Sequence, residues 1–194
     1  MVKQPTLSIL ILTIEGRESL LERLLNEFGR QIKKYGLSDD IEILISKDKS
    51  GEHKIGWKRN LLLSYCNGLW EQFWDDDDMP CEDYLLLAIT SLKTNTPDVL
   101  ALEGIMTTDG VNPRFFHNSL SHLEWFEKNS IFYRPPNHLN PIRSAIAKSF
   151  KFQEINEGED KQWSMDVAKS QVLKTESSIG KPYYFYNYAS KKES

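Results

Sequence analysis

Trp70-Glu71-Gln72-Phe73-Trp74-Asp75-Asp76-Asp77-Asp78 carries an aromatic lead-in of strand length directly into four consecutive carboxylates, with Met79-Pro80 just behind them. Four adjacent anions repel one another. A divalent cation removes that repulsion, because hard ions such as Mg²⁺ and Mn²⁺ prefer carboxylate and phosphate oxygens. The alternative is a solvated acidic loop, the usual fate of a run of like charges. Trp70, Phe73 and Trp74 weigh against it, since a wet loop needs no apolar lead-in. A strand would deliver the acids to one place, and α/β sheets hold ligands at the carboxyl ends of their strands.

Upstream, Ser8 to Thr13 is a continuous apolar run of strand length, which predicts a strand buried on both faces near the middle of a sheet. Leu20, Leu21, Leu24, Leu25, Phe28, Ile32 and Tyr35 then recur at helical spacing up to Gly36. Ile41 to Ile45 repeats the strand signal and Ser46 to Gly51 is a polar turn at its carboxyl end. A helix from Ile55 to about Asn67, with Trp57, Leu61, Leu62, Tyr65 and Cys66 as its apolar residues and Gly68 as its stop, leads back into the acidic stretch.

Downstream, a helix is expected over 82–93 and a strand over 98–102, so β and α alternate through Gly104. Residues 105–140 mix Gly110, Pro113, Pro135 and Pro136 with six aromatic side chains and show no long period, which predicts an irregular, surface-forming region. Ile142 to Lys148 suits a strand or a short helix. Glu159 to Gln171 reads as a helix with Trp163, Val167 and Ala168 inward, Tyr184 to Tyr188 as β-like, and Lys191 to Ser194 as a frayed end.

The 194 residues fit one domain, and 40% apolar with 27% charged residues is the composition of a globular protein. A formal net charge of −4 argues against a polymeric nucleic acid as partner. No apolar run approaches the roughly eighteen residues of a membrane span, and the opening Met1-Val2-Lys3-Gln4-Pro5 carries no signal-peptide pattern, so a cytoplasmic location is expected. Cys66 and Cys81 are too few for a disulfide scaffold and lack zinc-site spacing. His53, His117, His122 and His138 show no catalytic spacing to either cysteine.

Lys58-Arg59-Asn60, near the start of the helix after Gly56, suits an anionic partner when taken with the acids downstream. The pattern Gly56-x-x-Arg59-Asn60 followed by Phe73-Trp74-Asp75-x-Asp77-Asp78 resembles the nucleotide-binding half of family 2, GT-A-type glycosyltransferases, in which such a helix precedes an Asp-x-Asp motif that closes a strand. Ser8–Thr13 is similar to the family's first strand, and Asp48-Lys49-Ser50 to its nucleobase turn. Asn140-Pro141-Ile142-Arg143 through Phe152 is similar to its second half, and Gly158-Glu159-Asp160 with Trp163 resembles its acceptor-side Glu-Asp motif.

The resemblance implies an α/β fold: a GT-A-like single domain with a Rossmann-like, mixed but mainly parallel sheet flanked by helices. Residues 6–103 would form the nucleotide-sugar half and 104–188 the acceptor half. It further implies an inverting transferase that moves a sugar from a nucleotide-sugar donor, such as a UDP-sugar, to the hydroxyl of a glycan or other acceptor with help from Mn²⁺ or Mg²⁺. In that scheme Thr13, Glu15, Asp48, Arg59, Asp75 and Asp76 bind the nucleotide sugar. Asp77, as first choice of direct ligand, and Asp75 hold the metal, with His138 an added metal candidate weighed against a structural histidine. Asp160 is the general base and Glu159 orients the site.

Two departures bear on the donor. Ser46-Lys47-Asp48 replaces the usual paired acids of the nucleobase turn, and Thr13-Ile14-Glu15-Gly16-Arg17 lacks the frequent proline or tyrosine after strand one. The short stretch after the acceptor-side motif implies a compact, non-processive enzyme. A sugar-nucleotide pyrophosphorylase is the nearest other enzyme, but it needs a glycine-rich basic loop that Glu15-Gly16-Arg17 supplies poorly. A non-catalytic cation- or glycan-binding domain using the aromatic 115–133 region is the remaining alternative.

Overall fold

A computed structural model describes residues 3–188; Met1, Val2 and the charged end Lys191 to Ser194 lie outside the described residues. Strand β1 (Leu7–Ile14) is an internal, buried strand, one place in from the sheet edge rather than at its middle: Leu7, Ile9, Leu10 and Ile11 are fully buried. Helix α1 (Glu18–Tyr35) follows and ends at Gly36, whose φ of 65° is left-handed and lets its N–H reach Ile32 O. Strand β2 (Ile41–Asp48), helix α2 (Ile55–Tyr65), strand β3 (Trp70–Asp75), the short β4 (Met79–Pro80) and helix α3 (Tyr84–Asn95) complete the alternating half. β1 pairs in parallel with both β2 and β3.

The strand expected over 98–102 is two strands. β5 (Val99–Leu100) stays in the first sheet, the chain turns at Ala101, and β6 (Leu102–Thr108) starts a second sheet. There β6 pairs antiparallel with β7 (Val111–Asn118), and β8 (Phe126–Lys128) with β9 (Ile131–Arg134). β10 (Ile142–Arg143) runs straight into α4 (Ser144–Ala147), so both readings of that stretch hold in turn. Helix α5 (Glu159–Ser170), β11 (Glu176–Ser177) and β12 (Tyr184–Tyr188) follow.

The result is α/β with two six-stranded mixed sheets, ordered β11-β5-β10-β3-β1-β2 and β4-β12-β6-β7-β9-β8. The second sheet replaces the irregular region expected over 105–140. Its strands hide from a periodicity reading because they bury little: β7 buries only Phe116 and Asn118, and β8 is exposed throughout. Pairing, rather than an apolar face, organises them. The hairpin turns carry positive φ at Asp109 (51°) and Gly110 (77°), and at Asn129 (53°) and Ser130 (61°).

Side-chain alternation along β1 and β3 divides the core between the two faces of the first sheet. Ile9, Ile11 and Trp74 pack with Phe28 of α1, Tyr84 of α3 and Tyr184 of the second sheet. Leu10 and Phe73 pack with Leu62, Phe152 and Trp163 beneath α2 and α5. Glu71 faces this second cluster too: it is fully buried, and neither carboxyl oxygen has a hydrogen-bond partner. Burial pushes its pKa well above the ordinary 4.5, only partly opposed by the charges of Arg59 and Lys148.

Glu71→Met, which keeps the volume and removes the orphaned oxygens, is therefore expected to stabilise the fold by about 1–3 kcal/mol. The gain should grow with pH. Above the unfolded value the unfolded chain releases a proton that the folded chain keeps, so the wild type loses stability as pH rises while the variant does not. Urea unfolding at pH 5 and pH 8 checks this; an equal difference at both would mean that Glu71 is ionised in the folded protein.

Candidate functional site

The carboxyl ends of three parallel strands meet at one edge. Register sets Ile14 of β1 opposite Asp48 of β2, and Leu12 of β1 opposite Asp75 of β3, so acids from both flanking strands reach the same place. A cleft of about 300 Å³ opens there, with Thr13, Arg17, Lys58, Arg59, Asp75 and Asp77 among its walls.

The four aspartates separate as β3 ends and the chain turns. Asp78 is fully buried toward the second sheet, where the Tyr184 hydroxyl donates to it (2.6 Å) and the Asn187 N–H approaches (3.3 Å). Burial and the nearby Asp75 charge push it up to about 9, so it is a protonated tie between the sheets. Asp76 turns the other way and is also buried, accepting from Thr13 Oγ1 (2.6 Å) and from the Arg17 guanidinium, with Nε at 3.0 Å. Both oxygens are engaged by Thr13 and Arg17, and the residue lines the same cleft.

Asp77 and Asp75 line the cleft beside Asp76. Asp77 pairs with Arg17 Nη2 at 2.9 Å, and its carbonyl accepts from Arg23 at 2.6 Å. The Asp75 side chain keeps 38% of its surface open, and its nearest basic contact is a long one, 3.8 Å to Arg59 Nη2. Confinement by the surrounding protein, opposed by Arg59 and reinforced by the charges of Asp77, Asp160 and Asp76, pushes Asp75 up to about 6. A carboxylate in that state gains from a neighbouring cation.

The basic pair of α2 faces inward, while Tyr65 is 66% exposed. Lys58 Nζ donates to Asp48 Oδ1 (2.7 Å) and to the Thr13 carbonyl (3.0 Å). Burial alone would raise Asp48, but Lys58 and His53 outweigh it and hold the carboxyl below its usual range. Arg59 donates from Nε to Glu159 Oε1 (3.1 Å), with Phe73 and Phe152 rings at 5.0 and 5.7 Å. Glu159 balances its charge, and the residue still lines the cleft.

Gly56 explains the spacing of that motif. A Cβ there would stand 1.7 Å from the carbonyl oxygen of Gln153, whose segment lies on the first turn of α2. That close approach ties α2 to the chain entering α5. Gly158, at φ 83°, makes the final bend, and α5 opens with Glu159 buried against Arg59 and with Asp160 at 29% exposure.

Of the sequence candidates, Glu15, Asp48, His138, Glu159 and Asp160 are not part of the cleft lining. Glu15 is exposed and is not part of the lining; its N–H bonds to the Asp48 carbonyl at 2.9 Å and so closes β1 onto β2. His138 is 4% exposed, with Nδ1 at 3.9 Å from Asp160 Oδ2. Among the described residues it does not join Asp75 and Asp77 in a three-donor group. Among the described residues such a group comprises Asp48, Glu52 and His53, and Lys58 already neutralises Asp48 there.

Sequence reasoning overlooked Arg17, Lys58 as an inward cation, and Arg134. The signal for Arg17 was available: a basic residue in the loop after β1 shares a sheet edge with the acids that end β3. Arg134 is half-buried with its guanidinium 4.4 Å from the Trp125 ring, and burial lowers its pKa against the opposing charge of Asp160. Nothing in the sequence placed it near Asp160, because β9 reaches the site only through the second sheet.

No family model matches the chain, and no curated protein does. Solved structures do. S. aureus TarS 1–349 in complex with UDP aligns with a TM-score of 0.65 at 18% identity, over 94% of this chain and 60% of that one. The same protein in complex with UDP-GlcNAc aligns with a TM-score of 0.66 at 18% identity, over 97% of this chain and 59% of that one. The longer TarS structure gives 0.63 at 19%, over 94% of this chain but 36% of that one. The present chain thus spans about 60% of the TarS 1–349 length, and what it shares with TarS is the fold.

Proposed function

We propose that this chain is an inverting glycosyltransferase of the hexosyl-transferring type, moving a sugar from a UDP-linked donor to an acceptor hydroxyl with the help of Mn²⁺ or Mg²⁺. The observation that carries the reading is the meeting of Asp75 and Asp77 at a sheet-edge cleft, close enough to Asp160 for its charge to raise Asp75. The solved UDP and UDP-GlcNAc complexes of a protein with this fold support it. On this proposal residues 6–103 hold the donor and 104–188 the acceptor. A cytosolic setting belongs to the same proposal, supported by free thiols at Cys66 and Cys81. Among the described residues no helix is long and apolar enough to cross a membrane.

The donor set fits a hard divalent ion. Asp75 and Asp77 present carboxylate oxygens to the cleft and would hold it, and the ion when bound supplies positive charge to the departing diphosphate. Thr13, Asp48 and Lys58 would form the wall for the nucleoside. Asp160 would take the acceptor proton, and the buried Arg59–Glu159 pair locks α5 to α2 so that this carboxylate keeps its position. The pyrophosphorylase alternative loses ground because Arg17, its one cation after β1, is occupied by Asp76 and Asp77.

Calorimetric titration with UDP is the test. UDP should bind in Mn²⁺ and at least about tenfold more weakly after chelation, and Asp75→Asn should erase that difference. A glycan- or cation-binding module would give no UDP heat with or without the ion.

A further inference from the structure

Two buried side chains, near enough for the charge of one to act on the other, carry three polar atoms without partners. Among the described residues Nδ1 and Nε2 of His138 and Nη1 of Arg59 have no hydrogen-bond partner, although the first residue is 4% exposed and the second 5%. Leaving such groups unbonded costs free energy, so a native site rarely leaves three without use. Their chemistry is complementary. A guanidinium can only donate, a neutral imidazole donates from one nitrogen and accepts at the other, and a carboxylate only accepts. His138 is neutral because burial and the charges of Arg59 and Arg134 hold it well below the ordinary 6.5.

A backbone bond fixes the segment that carries the ring. The Phe73 N–H bonds to the His138 carbonyl (2.9 Å), which ties the loop to β3, and Nδ1 faces Asp160 Oδ2 across 3.9 Å. We infer that His138 is the positioning residue of Asp160: Nδ1–H donates to Asp160 Oδ2, Nε2 accepts from Arg59 Nη1, and Asp160 Oδ1 is left for the acceptor proton. Closing 3.9 Å to a hydrogen bond of about 2.8 Å needs a shift of roughly 1 Å, of the size by which catalytic contacts tighten when substrate binds. The rate consequence rests on the glycosyltransferase reading; the hydrogen-bond chain does not.

The test has two arms on the full chain. In ¹⁵N-histidine NMR, with His138 assigned by its absence in His138→Phe, the expected result is a neutral ring protonated at Nδ1 whose signal moves in Asp160→Ala and moves further downfield with UDP and Mg²⁺. An Nε2–H tautomer, or a signal indifferent to Asp160→Ala, overturns the proposal. In the second arm, UDP release from UDP-GlcNAc is followed for His138→Asn, whose amide replaces the Nδ1 donor, and for His138→Gln and His138→Phe, which do not. The Asn variant should keep kcat within about tenfold and the others lose about 10²-fold, all at unchanged UDP affinity. Equal losses in all three overturn it. A wild type that neither binds UDP nor releases it, with the Nδ1–H signal coupled to Asp160, leaves the chain of bonds standing and removes the glycosyltransferase reading instead.

Discussion

On the proposed reaction, Asp160→Asn should slow transfer from a UDP-sugar by about 10²–10⁴-fold, the usual contribution of a positioned general base. An amide of the same shape keeps the packing at the start of α5 but cannot take a proton. UDP affinity should not fall with the rate, because Asp160 raises Asp75 rather than assisting it; removing its charge eases Asp75 toward its ionised form and toward a cation. Rate and affinity are thus expected to separate, with kcat carrying the loss. Parallel measurements of UDP release and of UDP binding in Mn²⁺ decide it. Full turnover by the variant would remove Asp160 from the chemistry, and a loss confined to UDP affinity would assign it to donor binding.

The second large effect concerns stability. Arg59 and Glu159 are 5% and 4% exposed and hold each other at 3.1 Å, joining residues a hundred positions apart in the chain. Glu159→Leu strands a buried guanidinium and should cost about 3–5 kcal/mol. In a domain of this size that lowers Tm by roughly 6–20 °C. Arg59→Met combined with Glu159→Leu removes both charges and should recover most of the loss, since a well-packed apolar pair can replace a buried ion pair at little cost. The recovered protein should still be impaired in transfer, because the anchor between α2 and α5 that keeps Asp160 in place has gone. A single variant as stable as the wild type would show that solvent reaches the pair.

The same pair marks where the sequence stops being readable. The run from Ser8 to Thr13 and the stretch from Trp70 to Trp74 announce buried strands because burial on both faces demands continuous apolar residues, and both appear in the first sheet. The helices from Glu18 and from Glu159 are legible for a similar reason, each having one face that must be covered. The second sheet is not legible. β7, β8 and β9 owe their order to backbone pairing, which leaves little trace in the pattern of apolar side chains.

The candidate site divides in the same way. The spacing Gly56-x-x-Arg59 and the acids after Trp74 are visible along the chain, but identical aspartates in a row carry no mark of their separate fates. One becomes a tie to Tyr184, one a latch on Thr13 and Arg17 in the cleft wall, and two more line the cleft. Those outcomes depend on which way each side chain points as β3 turns and on what stands opposite, and both are properties of distant segments brought together by folding.

By itself, then, the sequence determined the alternation of strands and helices, the parallel edge and the presence of acids on it, because local periodicity and turn chemistry act over a few residues. Only the tertiary structure decided that Lys58 and Arg59 point inward, that Glu159 neutralises Arg59, and that His138 stands beside Asp160 with both ring nitrogens unpartnered. Charge compensation in a buried site is a contact between remote residues, and its cost is felt only once water has been excluded.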